Sequence, residues 1–356
     1  MFCILGDCYK EECHHCFPVK FCKYEHEVCK KDGMCYDVDL YKENEILVTG
    51  CSGFIGHHVC LSLLKSGFTV IGIDNMNNYY DVEIKKKNIE FLKNHDKFNF
   101  ICDDVITTDL IKNIKPKYII HLASMAGVRY SIENPQKYID NNISAFINLL
   151  EQSKEYKPNR IVYASSSSVY GLNTTLPFSE EHSIQKCNSP YACSKYAMEV
   201  FAKTYEQLYE LDTVGLRFFT VYGPRGRPDM APYKFLKSIK NNIPIEKYGN
   251  GESSRDYTYI DDIVDGIISC LFSDKIEHFV YNLGNSNPIT LNDFIETCEK
   301  VSNKKAIIHE KEMPLGDVPH TYANISRAKV DFNYNPKTSL HEGLKKMYEW
   351  MAEEGL

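Results

Sequence analysis

A tyrosine and a lysine four positions apart, Tyr191 and Lys195, are the residues of this chain best suited to acid–base chemistry. On a helix this spacing places both side chains on one face, one turn apart. A free phenol titrates near pH ~10, which is too high for a useful base, but a neighbouring ammonium favours the phenolate. Lys195 would therefore activate Tyr191 as a general base. The YxxxK spacing is common by chance, so this interpretation depends on what surrounds it.

Consecutive serines offer hydroxyls that could work with this base. Ser165–Ser168 directly follow the strand-like segment Arg160–Ala164 and so fall at the end of a predicted strand. A hydroxyl there, Ser166 in particular, could hold a substrate hydroxyl and relay its proton. The sequence predicts Tyr191, Lys195 and Ser166 as the catalytic set.

A glycine-rich turn follows the first clear strand pattern, Ile46–Thr49, and precedes a helix-like segment. Gly50 permits the tight turn, Gly53 lets backbone approach a pyrophosphate, and Gly56 allows the helix to pack closely on the strand. The helix N-terminus would face the phosphates. This part of the dinucleotide site is predicted to comprise Gly50, Gly53, Phe54, Ile55 and Gly56.

A second strand pattern, Thr69–Ile73, ends at Asp74. The carboxylate of Asp74 can accept hydrogen bonds from an adenosine ribose and would repel a ribose phosphate. The sequence therefore predicts NAD rather than NADP as the cofactor.

Strand-like and helix-like patterns alternate from residue 45 onward, which is typical of a doubly wound parallel sheet. Tyr138–Tyr156 and Tyr191–Tyr209 are amphipathic and long enough for helices packed on it. After Gly223 the prolines become frequent, which favours a smaller lobe closing over the sheet. The predicted strands are Ile46–Thr49, Thr69–Ile73, Phe98–Cys102, Tyr118–His121, Arg160–Ala164 and Thr213–Phe218.

We thus predict an α/β protein, with a Rossmann-type doubly wound parallel sheet and a smaller C-terminal substrate-binding lobe. The expected division is a Cys-rich extension at 1–44, an NAD-binding domain at 45–223 and a substrate-binding lobe at 224–356. A segment near 259–285 is expected to return to the NAD-binding domain.

The composition excludes several classes of protein. The chain has 356 residues, of which 43% are hydrophobic, enough to bury a large core. A net charge of −7 with dispersed Lys and Arg argues against a nucleic-acid surface. No apolar stretch is long enough to cross a bilayer, and the opening residues are too short for a signal-peptide core, so we expect a cytoplasmic protein without a membrane partner.

Half of the 14 cysteines precede the first strand, at Cys3, Cys8, Cys13, Cys16, Cys22, Cys29 and Cys35. With neighbouring histidines, some of these thiols could form a tetrahedral zinc site, although the spacing is not that of a standard zinc knuckle. The extension could equally be a disordered tail with reduced thiols, or a segment dispensable to the fold. We predict no catalytic metal, because the mixed strand-to-helix setting of the carboxylates at Asp256, Asp261 and Asp262 favours salt bridging and helix capping.

The glycine turn, Asp74, the serines and YxxxK together resemble the extended short-chain dehydrogenase/reductase family, from about residue 45 to the C-terminus. Segments similar to its nucleotide-sugar epimerases and dehydratases are His121–Arg129, Leu216–Pro224 and Arg255–Asp262. The resemblance implies adenine contacts from Asp104 and Val105, a cofactor wall containing Ala123 and Asn142, and a nicotinamide ribose held by Tyr191 and Lys195. It also implies a homodimer formed through the two long amphipathic segments. The first 44 residues resemble nothing in the family.

Within this family the residues after the serine-rich strand separate the reactions. By resemblance, 4,6-dehydratases carry an acidic pair and decarboxylases a glutamate where this chain has Ser166–Ser168. Serine is a poor acid or base for elimination. The remaining reaction is oxidation at C4 of a UDP-sugar followed by reduction on the opposite face. This is an NAD-dependent 4-epimerisation through a 4-keto intermediate.

Thr220 and the segment Gly223–Ala231 resemble the corresponding segment of UDP-glucuronate 4-epimerases. The Thr220 hydroxyl and the Arg227 guanidinium could hold a C6 carboxylate, because arginine forms charge-assisted, often bidentate bonds with such groups. Ser167 and Ser168 are expected to add substrate contacts. By resemblance Arg255 meets the diphosphate and Asp317 lies near the nucleotide ribose. The favoured conversion is UDP-glucuronate to UDP-galacturonate.

Other interpretations stay open at this point. Arg225 and Arg227 could be exposed to solvent or bind the diphosphate instead. A UDP-glucose or UDP-N-acetylglucosamine 4-epimerase would use the same base without a carboxylate grip. A 4-keto sugar reductase would consume NADH, and a noncatalytic NAD-binding protein could lack Tyr191 or Lys195.

Overall fold

The computed structural model describes residues 46–184, 186–312 and 318–356. The possible zinc ligands of the Cys-rich extension lie outside these described residues. Asp317 does too.

Seven parallel strands form the main sheet. They are β1 Ile46–Thr49, β2 Val70–Asp74, β3 Phe98–Cys102, β4 Tyr118–His121, β5 Arg160–Ser166, β6 Thr213–Phe218 and β10 Val280–Leu283. Their order across the sheet is β3-β2-β1-β4-β5-β6-β10. The strand order changes direction between β1 and β4, which opens a crevice at their carboxyl ends. The predicted α/β fold with a doubly wound parallel sheet is confirmed.

The core lies on both faces of this sheet. Successive residues of a strand point to opposite faces, so Ile46 and Val48 enter one apolar cluster and Leu47 enters the other. Helices cover both faces, which explains why β1 and β2 are buried along their whole length. The α-helices are Phe54–Lys65, Val82–Lys93, Ile111–Ile114, Val128–Glu133, Pro135–Tyr138, Ala145–Ser153, Pro190–Tyr209, Ala231–Lys240, Ile260–Phe272, Leu291–Ser302, Ser326–Phe332 and Leu340–Glu353.

The two long amphipathic segments behave differently. The second is one helix, Pro190–Tyr209, which begins where the Ser189 hydroxyl accepts a hydrogen bond from the Ala192 amide. The first is divided, because a π-helical turn at Ile139–Ser144 precedes the helix Ala145–Ser153. The prediction of one helix over 138–156 is therefore wrong in detail, since side-chain periodicity does not register a widened turn.

Two small sheets accompany the main one. β7 Thr220–Tyr222, β9 Ser254–Tyr259 and β11 Pro288–Thr290 form the first, in the order β11-β9-β7, and β8 Ile245–Tyr248 pairs with β12 Ile308–Lys311 in the second. The helix Ile260–Phe272 packs on Phe54–Lys65, and β10 joins the main sheet. No helix in the described part of the chain is long and apolar enough to cross a membrane.

Candidate active site

A cavity of about 420 Å³ lies at the carboxyl ends of the central strands. This cavity is lined by most of the site residues predicted from the sequence, although these residues are spread over 178 positions of the chain. They are Gly50, Gly53, Phe54, Ile55, Gly56, Asp74, Asp104, Val105, Ala123, Ser166, Ser167, Ser168, Tyr191, Lys195, Thr220 and Arg227.

The glycine turn leaves no room for side chains at two positions. Gly50 has φ +73°, and a Cβ there would lie 2.7 Å from the Ala123 nitrogen. A Cβ on Gly56 would lie 2.1 Å from the Gly50 carbonyl oxygen. The helix that follows starts at Phe54 without a side-chain cap, so its first turn offers backbone N–H groups to an anion in the cavity.

Asp74 ends β2 at the wall of the cavity and is almost fully buried. Its carboxylate accepts hydrogen bonds from the amides of Ser52 (3.2 Å) and Met76 (2.8 Å), and the Lys85 ammonium lies 3.6 Å away. These partners fix a carboxylate at a strand end beside the glycine turn. Such a group can receive ribose hydroxyls.

Asp104, Val105 and Ala123 lie on the cavity wall, whereas Asn142 lies behind it. The Asn142 amide is fully buried and exchanges hydrogen bonds with the Met125 backbone, at 2.7 Å to its nitrogen and 3.0 Å to its oxygen. Its third bond, of 2.8 Å, goes to the Ser194 hydroxyl. Asn142 thus braces the lining residue Met125, and its predicted place in the cofactor wall stays a prediction.

Tyr191 and Ser166 meet inside the cavity. Burial raises the pKa of the Tyr191 phenol, while a hydrogen bond with Ser166 and the positive charge of Arg227 act in the opposite direction. The Ser166 oxygen accepts a hydrogen bond from the Ser168 amide at 3.1 Å, so the Ser166 hydroxyl can donate its own proton to the Tyr191 oxygen or to a substrate. A hydroxyl placed between Tyr191 and Ser166 would therefore find both an acceptor and a donor.

Lys195 is fully buried one turn along the same helix, and its ammonium donates to the Ala164 carbonyl oxygen at 2.8 Å. Burial lowers its pKa to about 7, and the Glu199 carboxylate offsets part of that fall. The sequence argument made Lys195 the group that favours the phenolate. In the structure, Ser166 and Arg227 are the groups that oppose the effect of burial on the pKa of Tyr191. The Lys195 ammonium donates its hydrogen bond to the Ala164 carbonyl oxygen on β5.

A buried ion pair between Glu199 and Arg217 connects the helix Pro190–Tyr209 to the main sheet. Arg217 on β6 donates two hydrogen bonds to Glu199, of 2.9 and 2.7 Å, and both side chains are nearly inaccessible to solvent. The Ser165 hydroxyl donates to the same carboxylate at 2.5 Å. Glu199 therefore ties the helix of Tyr191 and Lys195 to the strand of the serines. Sequence reasoning missed it, although it continues the four-residue spacing of those two residues.

Thr220 and Arg227 bring the third group of side chains to the cavity. Thr220 begins β7, directly after β6. The Arg227 guanidinium is bound to Asp229 and to the Tyr79 hydroxyl. Its charge opposes the rise in the pKa of Tyr191 that burial causes. Sequence reasoning missed Tyr79, which carries no local signal of this role.

Arg255 is not among the described residues that line the cavity. Its guanidinium donates to the carbonyl oxygens of Ser254 (2.9 Å) and Pro319 (3.2 Å). Its predicted role at a diphosphate thus stays a prediction, as does that of Asp317.

Most of the chain is similar to known proteins. Residues 47–347 match the family model described as GDP-mannose 4,6 dehydratase. The chain is 45% identical to UDP-glucuronate 4-epimerase 6 of Arabidopsis thaliana, over 86% of this chain and 71% of that protein. It is 42% identical to the UDP-glucuronate 4-epimerase of Thermodesulfobacterium geofontis, over 86% of this chain and 96% of that protein.

A solved structure has the same fold. The UDP-glucuronic acid 4-epimerase of Bacillus cereus, in complex with UDP-glucuronic acid and NAD, superposes with a TM-score of 0.83 at 36% sequence identity. The match covers 87% of this chain and 99% of that one.

Proposed function

The chain belongs to the GDP-mannose 4,6 dehydratase family of extended short-chain dehydrogenase/reductases, and we propose that it catalyses the NAD-dependent C4 epimerisation of UDP-glucuronate to UDP-galacturonate. One observation carries the proposal. The cavity that contains Tyr191 and Ser166 also contains Thr220 and the cationic Arg227, so a base for an alcohol and a grip for a carboxylate face the same space.

The residues of the cavity fit NAD. The glycine turn has no space for a Cβ at Gly56 and offers a helix N-terminus to a pyrophosphate, while Asp74 supplies a carboxylate for the ribose. Asp104 and Val105 would line the adenine, and Lys195 with Tyr191 would hold the nicotinamide ribose. When bound, NAD would supply reversible hydride transfer at C4 of the sugar.

The protein's own residues supply the proton chemistry. Tyr191 would take the proton of the C4 hydroxyl, directly or through Ser166, and would return it after the sugar has turned. The net reaction leaves the oxidation state of the sugar unchanged. The three hydroxyls at 166–168 provide no strong acid or base for elimination of water, which favours epimerisation over dehydration.

The uronate is favoured over neutral sugars because a buried carboxylate needs charged or polar partners. Arg227 can provide charge-assisted hydrogen bonds, and Thr220 and Ser167 can provide hydroxyls. A carboxylate held in this way would also be less prone to leave as carbon dioxide from a 4-keto intermediate.

An NMR assay of the purified protein with NAD tests the proposal. UDP-glucuronate, UDP-glucose and UDP-N-acetylglucosamine would be supplied in turn, while the sugar proton signals and the absorbance of NADH are followed. We expect UDP-glucuronate to give UDP-galacturonate without net formation or loss of NADH. Preference for a neutral sugar would refute the carboxylate grip, and stoichiometric oxidation of NADH would indicate a reductase.

We also propose a homodimer and a cytoplasmic location. Val200 and Leu208 are exposed on the helix Pro190–Tyr209, and Ile139 is exposed on the neighbouring π-helical turn, which would suit a helix-to-helix interface. The described cysteines are all free thiols, as is usual in a reducing compartment. Light scattering of the purified protein would measure its oligomeric state, and imaging of the tagged chain would show its location in the cell.

A further inference from the structure

We propose that Asp229 is a positioning residue, which orients the Arg227 guanidinium so that one edge of it remains presented to the carboxylate of the substrate. This inference rests on the proposed function, because it assumes that Arg227 binds a uronate.

The geometry of the pair is that of a two-point clamp. The Nε atom of Arg227 donates to Oδ1 of Asp229 at 3.0 Å, and Nη2 donates to Oδ2 at 2.5 Å. Two parallel bonds of this kind fix the plane of the guanidinium as well as its position. The clamp occupies the Nε edge, so the edge that carries Nη1 is left to face a second carboxylate.

Asp229 acts from outside the cavity. Arg227 and Met230 line the cavity wall, whereas Asp229 is not among the described lining residues and its side chain is 39% exposed. The carboxylate therefore holds Arg227 from the solvent side, and it does not fill the space into which a sugar would fit.

Two further contacts limit the movement of the guanidinium. Nη2 also donates to the Tyr79 hydroxyl at 3.3 Å, and the guanidinium lies 5.5 Å from the centre of the Tyr79 ring. The backbone between the two charges is a tight turn, in which the Met230 amide donates to the Arg227 carbonyl oxygen at 3.2 Å. Asp229 is thus held close to Arg227 by the chain itself.

A competing role for Asp229 predicts the opposite result. If Asp229 occupied Arg227 in place of the substrate, removing its charge would free the cation and would lower KM for UDP-glucuronate. If Asp229 orients Arg227, removing its charge lets the guanidinium rotate and raises KM. The direction of the change therefore distinguishes the two roles.

The test compares wild-type protein, Asp229→Asn and Asp229→Glu, each with NAD, on UDP-glucuronate and UDP-glucose. For Asp229→Asn we expect kcat/KM on UDP-glucuronate to fall about tenfold, mainly through KM, as for loss of a charge-assisted hydrogen bond. Turnover of UDP-glucose should stay within about twofold of the wild-type value, because no carboxylate is gripped. Asp229→Glu keeps the charge and should restore part of the selectivity.

Asp212→Asn is the matched control. Asp212 accepts a hydrogen bond from Arg160 at 3.0 Å, has a second contact with the same guanidinium at 2.9 Å and is 41% exposed. It immediately precedes β6 and therefore lies at the amino end of the strands, away from the cavity at their carboxyl ends. This variant should leave the ratio of the two activities unchanged.

Three results would overturn the inference. These are equal losses on both sugars in Asp229→Asn, a lower KM for UDP-glucuronate in that variant, or unchanged kinetics on both sugars. A wild-type protein that does not turn over UDP-glucuronate would instead refute the proposed function and this inference with it. The wild-type measurement therefore separates the two kinds of failure.

Discussion

Replacing Arg227 by alanine should convert a selective enzyme into a weakly selective one. The side chain is 19% exposed and lines the cavity, so its charge is only partly screened by solvent. Each charge-assisted hydrogen bond that it makes to a carboxylate contributes about 1.5–3 kcal/mol. Two such bonds would contribute at least about 3 kcal/mol of binding free energy. A free-energy difference of ~1.4 kcal/mol corresponds to a factor of ten in kcat/KM. We therefore expect kcat/KM on UDP-glucuronate to fall by a factor on the order of 100.

The same substitution has a second effect that must be separated from the first. Burial raises the pKa of Tyr191 and the Arg227 charge opposes that rise, so loss of Arg227 should make the phenol a weaker acid with every sugar. That effect divides out when activity on UDP-glucuronate is expressed relative to activity on UDP-glucose. The selectivity ratio, measured by NMR at fixed pH, therefore reports the carboxylate grip alone.

Arg225→Ala is the matched control in the same loop. Its guanidinium donates to the Asn88 side chain at 2.8 Å, and it is not among the described residues that line the cavity. The control should change both activities alike. Equal losses on the two sugars in Arg227→Ala would refute the reasoning and would leave Arg227 with a structural or diphosphate-binding role.

Three further predictions test the base, the buried lysine and the ion pair. Tyr191→Phe should lower kcat by at least ~10²-fold, as expected for loss of a general base, while the purified protein still binds NAD; near-normal turnover with NAD bound would show that another group is the base. In cofactor-free protein, burial lowers the pKa of Lys195 from 10.5 to about 7. Between these pH values the unfolded chain therefore binds more protons than the folded protein does, and the folded state becomes more stable as pH rises. The wild type should thus gain stability relative to Lys195→Met between pH 7 and pH 10. Chemical denaturation at several pH values measures this difference, and a constant difference would contradict the buried position of the ammonium. Glu199→Gln should lower the free energy of unfolding by about 3–5 kcal/mol, because it leaves the 3% exposed Arg217 charge unpaired. The exposed pair of Glu296 and Lys300 provides its control, since Glu296→Gln should leave the unfolding midpoint unchanged.

Local patterns in the sequence were enough to predict the elements of the main sheet. The bounds of β1, β3, β4 and β6 agree with the predicted strands. β1 and β6 are buried along their whole length, as expected for central strands of a parallel sheet covered on both faces, whereas the edge strand β3 is buried only at Phe98 and Ile101. The helix Pro190–Tyr209 was also predictable from the spacing of its apolar residues. The break in the segment 138–156 was not predictable, since a π-helical turn keeps the amphipathic pattern while it changes the local geometry.

The chain's sequence by itself determined which chemical groups lie at the carboxyl ends of the strands, since strand ends, a glycine turn and a four-residue helical spacing are local properties. It did not determine how those groups are held. Only the tertiary structure placed Asn142 behind the cavity wall, bound Lys195 to the Ala164 carbonyl oxygen and brought Tyr79 to Arg227 across 148 positions of the chain. These contacts depend on the direction and burial of side chains from distant segments, which packing of the whole fold decides and which no local periodicity records.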